Sequence, residues 1–228
     1  MKKFFEKNEF LITMMFIFLY VLINSFCINN LGLFNYKTLI INTLFSIILF
    51  LIIFLLKKTS YYGIKKVENL KKYIYFLPLL LIISVNFWNG LTINNTFEEI
   101  IIYMIIMLNI GFIEEVIFRG FLFKMMEKSN VKTAIIVSSL TFGIGHIINL
   151  FNGAATIDTF LQIIYATSLG FLFALIFYKS KSLIPCIITH SLLNAFSIFN
   201  SNNDYIVTAI LLTISCFYSF YIIKFDKD

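Results

Sequence analysis

Charge is what this sequence has least of. Only 13% of its residues are charged and 60% are hydrophobic, against about 25% charged in ordinary soluble domains. A chain so poor in charge cannot cover a water-facing surface. Its net charge of +6 therefore points to an anionic lipid surface rather than to nucleic acid. Cysteine is also sparse: Cys27, Cys186 and Cys216 form an odd set without CxxC spacing, which argues against a disulfide framework or a thiolate metal site. No small-x-small cleavage site ends the first apolar run, and Phe26 stands before Cys27 where a lipoprotein needs a small residue. The first run is expected to remain as an uncleaved span. There is no repeat at a fixed period, and the connections leave no room for a soluble domain. Arginine occurs once against 17 lysines. With abundant Phe, Ile and Asn, this fits an AT-rich, bacterial source.

Runs of about twenty apolar residues are present in quantity. Eight candidate helices fall at about 10–28, 38–56, 73–91, 97–126, 131–150, 157–178, 183–200 and 205–223. The expected fold is all-α, a polytopic membrane protein in one bundle of about eight transmembrane helices. Its organisation reads as three N-terminal spans with a basic loop (1–94), a core (95–200), and a last span with its tail (201–228). Lysines orient the bundle. The N-terminus, the even-numbered connections and the C-terminus carry 16, whereas the odd connections hold Lys37 alone beside Glu98, Glu99, Asp158 and Asp204. By the positive-inside rule both termini are cytoplasmic. Ser182 is placed to cap the seventh helix, with Pro185 tolerated in its first turn. The lysine-rich second connection, with Gly63, fits an inner-leaflet surface segment or a solvated, charge-anchored loop.

Against this background Glu114-Glu115-Val116-Ile117-Phe118-Arg119-Gly120 stands out. Each charge at mid-membrane costs roughly 2.5–3.5 kcal/mol on insertion scales, so three uncompensated ones would cost about 8–10 kcal/mol. Glu115 and Arg119 are four apart on one helical face and can pair. Glu114 is turned about 100° away and is free to face a cavity. An ion-paired cluster that only locks helices together is the alternative.

Both histidines lie within apolar helices: His146 in Phe142-Gly143-Ile144-Gly145-His146, and His190 four residues before Asn194. Each alone fits a hydrogen-bonded packing residue. At 1.5 Å per residue, Glu114 and His146 lie about 20 and 22 Å from the lysine-rich end, and Glu115 and Asn194 about 18 Å. Arg119 and His190 lie about 12 Å from it. Three helices thus bring their costly polar groups into one band about 10 Å deep.

Three motifs in order resemble those of the CAAX-protease and bacteriocin-processing (CPBP, or Abi) intramembrane proteases. They are Glu114-Glu115…Arg119, Phe142…His146 and His190…Asn194, with Gly120, Leu122 and Ser182-Leu183…Pro185 as smaller agreements. The resemblance covers roughly residues 95–200. It implies an intramembrane endopeptidase that hydrolyses a membrane-associated peptide or a lipid-anchored protein tail. Glu114 and His146 are expected to polarise a water, and His190 and Asn194 to donate to the oxyanion. Glu115, Arg119 and Phe142 support them. A metal stays open, because His146, His190 and Glu114 make a possible His₂Glu zinc set. Also open are a bacteriocin-immunity or assembly role by binding alone, and a transporter or channel with mid-membrane charge. A Cys186 thiol mechanism fits worse, since Cys186 lies too far toward the lysine-rich end to meet Glu114 or His146.

Overall fold

The computed structural model describes residues 2–68, 76–88, 90–200 and 205–225, and every regular element among these is helical. In order these are α1 (Lys2–Lys7), α2 (Glu9–Phe26), α3 (Tyr36–Leu55), α4 (Pro78–Ser84), α5 (Phe97–Glu115), α6 (Lys124–Glu127), α7 (Val131–Gly145), α8 (Ile148–Phe151), α9 (Thr156–Ser180), α10 (Ile184–Phe196) and α11 (Tyr205–Phe225). π-Helical turns extend α2 through Leu31 and join α5 to α6 over Val116–Phe123. Lys71, Lys72, Asp204 and Lys227, which enter the lysine asymmetry, lie outside the described residues, as do positions 73–75 of the third expected span.

Among the described residues, six helices are long and apolar enough to cross a membrane, which makes the chain an all-α polytopic membrane protein. The third and seventh expected spans are shorter, at Pro78–Phe87 and Ile184–Phe199. At 1.5 Å per residue these are about 15 and 24 Å long, against a hydrocarbon core of about 30 Å. Each is bounded by its own sequence. Pro78 opens the first, and the left-handed Lys181 (φ 54°) ends α9 just before the second.

Local chemistry sets the helix starts. Thr96 and Glu99 form a reciprocal capping box at α5, satisfying two otherwise orphaned backbone donors. Asn35 and Asn130 accept from the N–H groups of Lys37 and Thr133 at 2.8 and 3.0 Å. Ser182 Oγ accepts from the Ile184 N–H at 3.3 Å and donates to the Lys65 carbonyl at 2.6 Å. The expected cap is therefore also a tether to the second connection.

Two glycines let helices approach closely, as small residues do in membrane bundles. A Cβ on Gly111 of α5 would lie 2.7 Å from Ser191 Cα of α10. One on Gly143 of α7 would lie 2.9 Å from the Ile163 carbonyl of α9.

Over its described residues, up to Glu68, the second connection is not a solvated loop. Tyr62 is fully buried and packs edge-on against Phe121, with ring centroids 4.9 Å apart. Gly63, at φ 77°, presents its carbonyl to the Leu183 N–H at 2.8 Å. A side chain there would meet Phe177 and Leu183. Burial pushes the pKa of the Tyr62 phenol up, well above its ordinary value. The segment folds back because its apolar pair Tyr61-Tyr62 gains more from burial than its lysines lose. Lys65 and Lys66 stay at least partly exposed at its margin. Around this end, Lys58 pairs with Glu6 at 2.8 Å, Lys128 with Glu9, and Lys124 and Lys181 with Glu127.

Candidate active site

The site is built on the join between α5 and its π-helical continuation. Wider turns of this kind occur often at functional sites, and here every residue from Val116 to Phe123 is buried. Glu114 and Glu115 are the last two α-helical residues before it. The four-residue pairing survives the change of geometry: Arg119 Nη1 donates to Glu115 Oε1 at 3.0 Å, with both side chains fully buried.

Arg119 is otherwise held by aromatic faces. Its guanidinium carbon lies 4.3 Å from the Phe142 ring centroid and 5.8 Å from that of Phe173, within cation–π range. Among the described residues, Nε and Nη2 have no hydrogen-bond partner. Gly170 leaves room for this packing, since a Cβ there would lie 3.0 Å from Nη2 and 3.1 Å from Phe142.

His190 spans both carboxylates. Its Nδ1 lies 2.8 Å from Glu115 Oε1, and its Nε2 lies 3.2 Å from Glu114 Oε2. Sequence reasoning sets His190 opposite Glu114 as an oxyanion donor, but it lies directly against the two glutamates. The cause is the Gly111–Ser191 approach, which draws α10 onto α5 three residues before Glu114. The other Glu114 oxygen accepts from the Tyr20 hydroxyl at 2.5 Å. Glu114 is thus clamped between α2 and α10.

His146 closes the end of α7 as its C-cap residue. Its Nδ1 lies 3.1 Å from the Phe142 carbonyl. A carbonyl only accepts, so Nδ1 carries a proton, and in the neutral ring Nε2 keeps its lone pair. The Phe142 ring stands edge-on to both imidazoles, at 5.2 Å from His146 and 5.6 Å from His190. Phe142 thereby serves Arg119 with its face and the histidines through their rings.

Glu114, His146, His190 and Asn194 all line one cavity of about 660 Å³, with Tyr20, Asn24, Asn86, Asp158, Gln162 and Tyr205 contributing further polar groups. Glu115 and Arg119 lie behind it. Cys186 is buried and its thiol donates to the Phe173 carbonyl at 3.4 Å, so it turns away from the cavity. Among the described residues, no three His, Cys, Asp or Glu side chains group as a metal set. In this arrangement both His190 nitrogens face carboxylate oxygens. His146 Nε2 and Glu114 remain the groups that could meet a cation.

Tyr20 and Gly170 are the residues that sequence reasoning missed. Tyr20 is one of 12 tyrosines and lies 94 positions from its partner; nothing local distinguishes it. Gly170 sits in an apolar run and becomes informative only once Arg119 is seen beside it.

Comparison with known proteins adds one finding. Residues 95–196 match the family described as type II CAAX prenyl endopeptidase Rce1-like. The resemblance to CPBP intramembrane proteases is borne out over that segment, which is similar to CAAX-type proteases. No curated protein and no solved structure matches the chain.

Proposed function

We propose, on the premise of that CAAX-protease segment, that the chain hydrolyses a peptide bond in a membrane-associated peptide or a lipid-anchored protein tail, with Glu114 as general base. The observation that carries this is the setting of Glu114. Of the two adjacent glutamates it is the one that lines the cavity, and Tyr20 and His190 each hold one of its oxygens.

A water held between Glu114 and His146 Nε2 gives a proton to Glu114 while its oxygen bonds to the scissile carbonyl carbon. The carbonyl becomes an oxyanion, to which Asn194 donates from one turn above His190. Collapse of this intermediate breaks the C–N bond, and Glu114 returns the proton to the leaving amine. His190 holds Glu114 in place, and Glu115 with Arg119 holds His190. Preorganised donors of this kind act strongly where water is sparse. No step here is routed through a metal; a divalent ion, if bound, would meet Glu114 and His146 and polarise the carbonyl.

The test uses purified full-length chain with quenched peptides, both prenylated and unprenylated. Wild type should cleave, and Glu114→Gln should lose about 10²–10⁴-fold in rate, as for a lost general base, with its fold and membrane insertion unchanged. Full activity in Glu114→Gln would refute the assignment and favour action by binding alone.

A further inference from the structure

The cavity has one direction. From Glu114 and His190 its lining continues along α2 from Tyr20 to Ile28, along α9 from Phe173 back to Asp158, and along α10 from His190 to Asn200. These are the helix ends whose connections hold only Lys37. Toward the other end the way is shut by Tyr62, Phe121, Phe123, Phe177 and Leu183, each at most 2% exposed. The backbone of Gly63 and Lys65 is tied across them by Leu183 and Ser182.

Charge divides the same two ends. Among the described residues the shut end carries 13 lysines and the acids Glu6, Glu9, Glu68 and Glu127, for a net of 13 − 4 = +9. The open end carries Lys37 against Glu98, Glu99 and Asp158, for a net of 1 − 3 = −2. Lysine excess marks the cytoplasmic side. The described lining includes Glu114 and Asp158 and neither lysine nor arginine. A cleft lined by charge of one sign concentrates cations when that sign is negative, and repels anions.

We infer that the peptide reaches Glu114 from the extracytoplasmic side, and that the cavity takes a neutral or basic chain rather than one with a free carboxylate beside the scissile bond. Any step after binding rests on the proteolytic reading, but access and charge preference are measured without cleavage. A terminal carboxylate would need a cation in the cavity, and the one arginine is buried behind Glu115. A lysine-bearing segment would find Asp158 at the mouth and Glu114 at the base.

Access is read by cysteine labelling in intact cells. Cys27 and Cys186 are buried, so Cys216→Ala leaves a quiet background. Ala155→Cys at the mouth and Leu161→Cys within the cavity should react with a membrane-impermeant maleimide. Lys66→Cys, exposed at the shut end, should react only in broken cells. Each variant is scored on the fraction recovered in the membrane. The reverse pattern, or a Leu161→Cys site silent from outside, overturns extracytoplasmic loading.

Charge preference is read on His146→Ala in nanodiscs, which keeps Glu114 and Asp158 and binds without turnover. Labelled peptides with one apolar core and Lys, Gln or Glu flanks are compared at low salt. The Lys peptide should bind about tenfold tighter than the Glu peptide, and Asp158→Asn should narrow that ratio. Equal affinities, or no binding by any peptide, would overturn the charge assignment. If both arms succeed while no peptide is cut by wild type, the proteolytic reading fails and the access inference stands.

Discussion

Arg119→Leu should destabilise the bundle far more than the double variant Glu115→Gln/Arg119→Leu. In wild type the pair makes one hydrogen bond at 3.0 Å, while Arg119 Nε, Arg119 Nη2 and Glu115 Oε2 have no hydrogen-bond partner among the described residues. Such a pair returns little net stability, because desolvation offsets most of the attraction. Removing one member is another matter. Glu115 would be left fully buried, with only His190 facing it, at a cost of about 3–5 kcal/mol. In a chain of this size 1 kcal/mol moves the melting temperature by about 2–4 °C, so the single variant should melt about 6–20 °C lower. The double variant removes the stranded charge. Its glutamine oxygen still accepts from His190, and leucine keeps an apolar surface against Phe142 and Phe173. It should recover most of the loss. Buried Cys27 and Cys186 provide the assay, since a thiol-reactive dye lights up as they become exposed on heating in detergent. Single and double variants melting within about 2 °C of each other would refute the stranded-charge reasoning.

Tyr20→Phe deletes one hydroxyl and nothing else, and loss of a hydrogen bond to a charged group costs about 1.5–3 kcal/mol; the melting temperature should fall by about 3–12 °C and the rate about 10–100-fold, and a fully active variant would remove Tyr20 from the site. Gly111→Ala places a methyl 2.7 Å from the Ser191 backbone, so α5 and α10 must part; it should lower both yield and activity, whereas Gly145→Ala, with nothing within 4 Å, should be silent in the same expression and melting assay. Asn194→Asp replaces the proposed oxyanion donor with an acceptor and should reduce cleavage at least tenfold; retained activity together with about one zinc per chain by elemental analysis would point to metal ligation instead.

Positions of the apolar segments were legible because hydrophobicity over twenty residues is a strong local signal. The expected 97–126 and 157–178 runs are the observed Phe97–Glu127 and Thr156–Ser180 helices to within two residues. Span length was less legible at Pro78–Phe87, where polar ends and turns interrupt a run that composition alone extends. The Glu115–Arg119 pairing needs only helical periodicity and could be stated in advance. The place of His190 could not, because it depends on how closely α10 meets α5, which a glycine and a serine on separate segments decide together. The buried second connection was missed for the same reason. Its lysines speak for solvent, while Tyr62 and Gly63 reveal their contacts only when Phe121, Phe177 and Leu183 are near.

The order of the polar groups along the chain bears on how the protein enters its membrane. Segments emerge N-terminus first, so Tyr20 is already in the bilayer when the two glutamates arrive. Glu115 comes with Arg119 one turn behind it on the same helix, so this pair can be lowered into lipid as a nearly neutral unit. Glu114 then finds the Tyr20 hydroxyl waiting. His190 follows last, some 75 residues after Glu115, and only its arrival completes the carboxylate–imidazole array. The nascent chain therefore carries Glu114 through most of synthesis in an incomplete setting, and the array closes only when the bundle is almost whole.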